Sequence, residues 1–152
     1  MMTALATQVS PVSIMMIEDD EGHARLIEKH IRRAGVDSDI RGFRDGASAL
    51  AHLFRKRDSM AKKTEPPSVV LLDLNLPDMT GIDILRAVKR DEHLRRLPVI
   101  VLTTTDDPRE LERCYDLGAN ICITKPLNDA NFANAIRQLG QFLSVIVIPE
   151  ID

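Results

Sequence analysis

Six residues of this chain carry reactive or charged groups where a short apolar run ends. Glu18, Asp19 and Asp20 follow a run over 12–17, Asp73 follows 69–72, Thr103 follows 99–102, and Lys125 follows 121–124. Carboxylates gathered at one place repel, and a pair about 4 Å apart costs on the order of 4 kcal/mol at an effective dielectric near 20. A hard divalent cation held by a few carboxylates and waters relieves that repulsion, and Mg2+ suits the ligand set. Beside such a cation Asp73 qualifies as a phosphoryl acceptor, because the metal neutralises charge on the transferred oxygens. Lys125 would add a fixed positive charge against the phosphoryl group, and the Thr103 hydroxyl would donate a hydrogen bond to it. Taken singly, an Asp, Thr or Lys at the end of a run is ordinarily solvated or caps a helix. Four of suitable chemistry at four run ends point to one site.

The elements that must position these groups follow from the pattern. The apolar runs 12–17, 69–72, 99–102 and 121–124 read as strands buried on both faces, with a weaker strand around 38–43. Between them lie helical periodicities. Ala24, Leu26, Ile27, Ile31 and Ala34 form one, closed by Gly35 as a C-cap would close it. Asp45-Gly46 opens a second, with Ala47, Leu50, Leu53 and Phe54 on one side. Thr80 is placed to cap a third, with Asp83 three residues on and Ile84, Leu85 and Val88 following. Asp107 caps a fourth, with Pro108 at its first position and Glu110 at its third. Asn128 starts the last, whose apolar face carries Phe132, Ala133, Ile136, Leu139, Phe142 and Leu143. The charged segment 57–67, ending Pro66-Pro67, is a solvated connection. Five strand-then-helix repeats predict an α/β domain: a doubly wound parallel sheet with helices on both faces and right-handed crossovers. In such sheets the ligand site lies outside the carboxyl ends of the strands, where strand order reverses. All four chemical run ends fall there.

Composition narrows the class. The chain has 152 residues, enough for one domain with a continuous core, and we place it at 11–143, after an N-terminal extension over 1–10. Two cysteines cannot make a disulfide framework, so a cytoplasmic location is expected. Twenty basic against 23 acidic residues leave a formal charge of −3 and no basic stripe for phosphate backbones. One Tyr, four Phe and no Trp provide no stacking platform, so a nucleic-acid partner is not expected. No basic leader precedes an apolar core at the N-terminus, and no apolar run reaches membrane-spanning length.

The motifs resemble the response-regulator receiver domains of two-component signalling over nearly the whole chain. They are Ile17-Glu18-Asp19-Asp20, Leu71-Leu-Asp73-Leu-Asn-Leu-Pro77 through Gly81, Val101-Leu-Thr103-Thr104 after Pro98, and Thr124-Lys125-Pro126. The resemblance implies a flavodoxin-like sheet of five strands in order 2-1-3-4-5. It implies that Asp73 takes a phosphoryl group from a phosphohistidine on a sensor histidine kinase, and that the chain catalyses its own phosphoryl uptake and loss. It implies that Asp19 and Asp73 bind Mg2+, with Glu18 contributing through water and Asn75 through its backbone carbonyl. Thr103 and Lys125 then sense the phosphoryl group, and Asn75 and Thr105 tune dephosphorylation by controlling the approach of water. Asp20 aligns with a variable position. Cys122 stands where the family uses an aromatic residue three positions before the lysine, so transmission through a threonine–aromatic pair is expected to differ here. Both Cys122 and Cys114 read as small core hydrophobes, and His23, His30, His52 and His93 as surface or helix-packing residues. Further details, among them Leu94-Arg-Arg-Leu-Pro98, Thr103-Thr-Thr105 and Leu117-Gly-Ala-Asn120, resemble the stand-alone regulators that partner bacterial phytochromes.

With no effector domain after the receiver, output is expected through protein contacts. The tail over 144–152 would be apolar on both faces as a strand, with Val145 and Val147 opposite Ile146 and Ile148, and such a strand is unstable in water by itself. A homodimer contact through Phe142, Val145, Ile146, Val147 and Ile148 is therefore expected. Three other readings fit less well. A phosphatase with an aspartyl nucleophile needs a second acid two residues on, where this chain has Asn75, and places its nucleophile after the first strand. A nucleotide-binding domain would carry a Gly-rich phosphate loop, which is missing. A receiver reduced to a scaffold would have lost phosphorylation residues that are all present here.

Overall fold

Strand and helix alternate as the periodicities require. The computed structural model describes residues 12–33, 35, 38–55 and 67–125, with Ala130, Asn134, Ala135, Arg137 and Gln138. The elements are β1 (Val12–Ile17), α1 (Glu21–Arg33), β2 (Ser38–Phe43), α2 (Gly46–Arg55), β3 (Val69–Asp73), α3 (Gly81–Arg90), β4 (Val99–Thr103), α4 (Pro108–Asp116) and β5 (Ile121–Thr124). The five isolated residues are helical and fall where the sequence predicts the last helix. The rest of that helix and the tail, with Phe142, Val145, Ile146, Val147 and Ile148, lie outside the described residues.

All five strands are parallel, in the order β2-β1-β3-β4-β5. This is the flavodoxin-like receiver arrangement that the motifs imply. β3 and β4 are buried along their whole length, which explains why they read as continuous apolar runs without alternation. Each face of the sheet has its own core. Met15, Ile17, Val70, Leu72, Val99 and Val101 pack with Ala49 and Leu53 of α2, Ile84, Leu85 and Val88 of α3 and Cys114 of α4. Ile14, Met16, Val69, Leu71, Ile100 and Leu102 pack with Ile27 and Ile31 of α1 on the other face.

Helix ends follow local chemistry. The Thr80 side chain accepts from the Asp83 N–H, and Asp107 accepts from the Arg109 N–H with Pro108 behind it, as their spacing predicts. Gly35 after α1 and Gly118 after α4 take positive φ, 80° and 109°, where a side chain would be strained. One expectation needs correcting. Ala47 is exposed, and Ala49 fills the core position on α2. Ala47 lies about 120° around the helix from Leu53, off the face centred on Ala49 and Leu53.

Candidate functional site

Parallel register brings the strand ends together. Ile17 pairs with Leu72, Asp73 with Leu102, and Thr103 with Thr124, so the residues that leave the sheet there stand side by side. The Lys125 N–H donates to the Thr103 carbonyl at 2.8 Å, which fixes the start of the segment after β5. Strand order reverses around β1 and β3, and the crevice opens at that reversal. Glu18, Asp73, Thr103 and Lys125 are all buried, none more than 6% exposed, and they are the buried polar and charged residues of the described chain. Charges at that depth persist only when paired or coordinated.

Lys125 is the hub. Its Nζ donates to Glu18 Oε1 at 2.6 Å and to Asp73 Oδ2 at 3.5 Å, and it stands 3.3 Å from His23 Nδ1. One ammonium therefore faces two buried carboxylates, and it sits closer to Glu18. The mismatch appears on Glu18, whose pKa is raised to about 8. Burial is the largest cause; the neighbouring Asp73 carboxyl raises it further, and Lys125 opposes the shift. Glu18 Oε2 is buried with no hydrogen-bond partner among the described residues. Glu18, Asp19 and Asp73 each offer a carboxylate oxygen within 4.8 Å of the others. An orphaned buried oxygen within an all-oxygen donor set fits a hard divalent cation such as Mg2+, the ligand chemistry expected from the sequence.

The loop from β3 to α3 carries Asp73 and is tied at several points. The Asn75 N–H donates to Asp73 Oδ1 at 3.1 Å, and Asn75 bridges to Thr80 across the loop. The Gly81 N–H donates to the Leu74 carbonyl at 2.8 Å. At Gly81 a Cβ would stand 2.4 Å from the Asp73 carbonyl oxygen and 2.7 Å from Leu74 Cα, so the approach of these two backbones admits only glycine. Asp78 bolts the loop to α2, its two oxygens accepting from the Gly46 and Ala47 N–H groups at 2.8 and 2.9 Å. Those bonds hold its carboxyl below the ordinary value. On the other side of the crevice, Thr103 Oγ1 accepts from the Thr105 N–H at 3.1 Å and keeps its own hydroxyl proton to donate.

The residues singled out in the sequence thus separate into a buried group and a rim. Glu18, Asp73, Thr103 and Lys125 meet inside, Asp19 lies exposed beside them, and Asn75 and Thr105 occupy the loops at the mouth. The Asn75 amide reaches Thr104 Oγ1 at 3.5 Å. Two further residues belong here that the sequence reading left out. His23, expected to be a surface or helix-packing residue, is partly exposed but sets its ring against Lys125 and Glu18. The signal was its place in the first turn of the helix that starts at the acidic run. Asp78, capping a helix 31 or 32 residues away in sequence, gave no local signal. Cys114 is fully buried and Cys122 half-buried against the core, as read. Tyr115 of α4 supplies the aromatic ring near Cys122, its Oη accepting the Cys122 N–H at 3.1 Å.

Residues 14–137 match the family model for the response regulator receiver domain. A crystal structure of a response regulator receiver domain from Rhodospirillum rubrum is 63% identical, covers 93% of this chain and 99% of that one, and superposes with a TM-score of 0.80. The phosphorylated cyanobacterial phytochrome response regulator RcpA is 32% identical with a TM-score of 0.81, covering 93% of this chain and all of that one. The Mn2+-bound form of response regulator Rcp1, a protein of Synechocystis, is 28% identical with a TM-score of 0.80, covering 92% of this chain and all of that one. With the strand order, the buried acidic cluster and its lysine already in place, these matches make the chain a member of the response-regulator receiver domain family.

Proposed function

We propose that this receiver accepts a phosphoryl group on Asp73 from a phosphohistidine of a sensor histidine kinase and signals through protein contacts. The observation that carries the reading is the buried Asp73 carboxylate, with an ammonium and two further carboxylates close to it. In the transfer, a carboxylate oxygen of Asp73 bonds to phosphorus as the phosphorus–nitrogen bond breaks. The electron pair stays on the departing imidazole, which takes up a proton. In the reverse sense of signalling, water attacks the acyl phosphate and returns Asp73 and inorganic phosphate.

Glu18, Asp19 and Asp73 would hold Mg2+, joined by the Asn75 carbonyl, and the ion would offset charge on the transferred oxygens. Lys125 supplies a fixed positive charge beside Asp73, and the Thr103 hydroxyl donates to a phosphoryl oxygen. Asn75 and Thr105 at the mouth govern the approach of water. Neither is an acid or base near neutral pH, which favours a long-lived phosphoryl group. The likeness to RcpA supports a phytochrome-type kinase as donor, and two cysteines with no disulfide framework support a cytoplasmic setting. Among the described residues no helix is long and apolar enough to cross a membrane. The apolar tail, with Phe142, Val145, Ile146, Val147 and Ile148, supports a homodimer, and truncation after Leu143 should lower the mass seen by light scattering.

The test of phosphoryl acceptance is intact mass after incubation with Mg2+ and a small acyl-phosphate donor. Wild type gains one phosphoryl group and Asp73→Asn gains none. Equal labelling of both, or labelling of neither, would overturn the reading.

A further inference from the structure

His23 and Asp20 stand at the crevice with no part in the phosphoryl chemistry. Hydrogen-bond accounting gives them a role. The Lys125 ammonium has three donors. Three acceptors surround it: Glu18 Oε1 at 2.6 Å, His23 Nδ1 at 3.3 Å and Asp73 Oδ2 at 3.5 Å. The set closes only if Nδ1 presents its lone pair, which puts the ring proton on Nε2. That nitrogen faces Asp20 Oδ2 at 4.0 Å, a negative charge that favours a proton there. Asp20 is itself held, since its Oδ1 accepts the His23 backbone N–H at 3.0 Å in the first turn of α1. The opposite tautomer would aim Nδ1–H at Glu18 Oε1, 3.3 Å away. That oxygen already accepts the shortest bond in the cluster, and Lys125 would be left one acceptor short while buried.

We propose that Asp20 and His23 form a positioning brace for Lys125, with Asp20 orienting the imidazole and Nδ1 holding the ammonium beside Asp73. This role rests on the phosphoacceptor reading of Asp73. His23 touches no reacting atom. It keeps the lysine aimed at the acceptor, and it offers a partner from α1 besides the buried carboxylates of Glu18 and Asp73.

Two measurements test the brace, and the first needs no phosphorylation. Long-range proton–nitrogen correlation spectra of the neutral ring, taken at alkaline pH without metal, should show the Nε2–H tautomer for His23. Asp20→Asn, which keeps a capping oxygen but loses the charge, should shift the balance toward Nδ1–H. A dominant Nδ1–H form in wild type overturns the brace, and a balance unmoved by Asp20→Asn removes Asp20 from it. The second measurement is the rate of phosphoryl uptake from a small acyl phosphate. His23→Ala should be about tenfold slower, the scale of one lost bond to a charged donor. His23→Asn places an oxygen where Nδ1 stands and should recover most of that rate. An alanine variant as fast as wild type, or an asparagine variant no faster than alanine, overturns the proposal. If wild type takes up no phosphoryl group while the Nε2–H tautomer is present, the phosphoacceptor reading fails and the brace stands.

Discussion

Replacing Gly81 by alanine tests whether the approach of α3 to the Asp73 loop is what holds the acceptor in place. The new Cβ would lie 2.4 Å from the Asp73 carbonyl oxygen and 2.7 Å from Leu74 Cα, both backbone atoms. Reaching ordinary contact near 3.4 Å requires a retreat of about 1 Å, and no flexible side chain is there to yield. Either α3 or the loop must move, and the 2.8 Å bond from the Gly81 N–H to the Leu74 carbonyl goes with it. Overpacking of this kind costs roughly 1–3 kcal/mol and the lost hydrogen bond about 1 more. A helix-propensity gain of at most about 1 kcal/mol offsets part of that. A net loss of about 1–3 kcal/mol corresponds to a melting temperature lower by roughly 3–10 °C at this size. The functional loss should be the larger one. A reacting group misplaced by about 1 Å typically forfeits on the order of 100-fold in rate. Urea denaturation and phosphoryl uptake, measured on the same preparation, check both. Gly42→Ala on β2 is the control, because a Cβ there meets nothing within 4 Å. If Gly81→Ala keeps both the wild-type midpoint and the wild-type rate, the close approach has no such role.

Other consequences follow from the charged groups and the thiols. The Asp78 carboxyl is depressed below 3.8 by the two α2 N–H groups, so its stabilisation is complete above that value and is lost as pH falls through the lower folded value. Asp78→Asn should therefore lower the urea midpoint at neutral pH and converge with wild type in acid; a gap unchanged in acid would refute the cap. Glu18 shifts the other way. Because the folded carboxyl binds its proton more tightly than the unfolded one, metal-free stability should decline as pH rises from 4.5 through about 8, and Glu18→Gln should remove that slope. Divalent-cation affinity, read by calorimetry, should climb over the same range, because the ionised carboxylate is the ligand. Cys114 is fully buried and its thiol is pushed up to about 11 by burial, so native alkylation should spare it and denaturant should expose it.

Much of this molecule is legible in its sequence because local signals and the tertiary fold agree. The strands end at Asp73, Thr103 and Thr124 as the apolar runs do, since a strand buried on both faces must stop where the chain turns polar. Thr80 and Asp107 cap helices because hydroxyl and carboxylate oxygens reach backbone donors two or three residues on. Sequence fails where partners are distant. Asp78 looks like a loop residue until α2 arrives beside it, and His23 looks like a surface residue until β5 delivers Lys125, 102 residues later. The misplaced Ala47 is a smaller case: several apolar residues on one helix are compatible with more than one face, and packing against β1 and β3 decides between them.

The charged cluster at the strand ends is a compromise. Two buried carboxylates share one ammonium, and the lysine settles 2.6 Å from Glu18 rather than 3.5 Å from Asp73. Glu18 answers with a raised pKa and a buried oxygen that has no partner among the described residues. A fold selected for stability alone would be expected to replace such a group with an apolar one, since buried ion clusters are often neutral or costly. Positive charge near the carboxylates, or negative charge added near Lys125, would relieve each of these unfavourable features. In the proposed function a cation would offset the charge at the orphaned oxygen, and a phosphoryl group on Asp73 would give the lysine a stronger partner than Glu18.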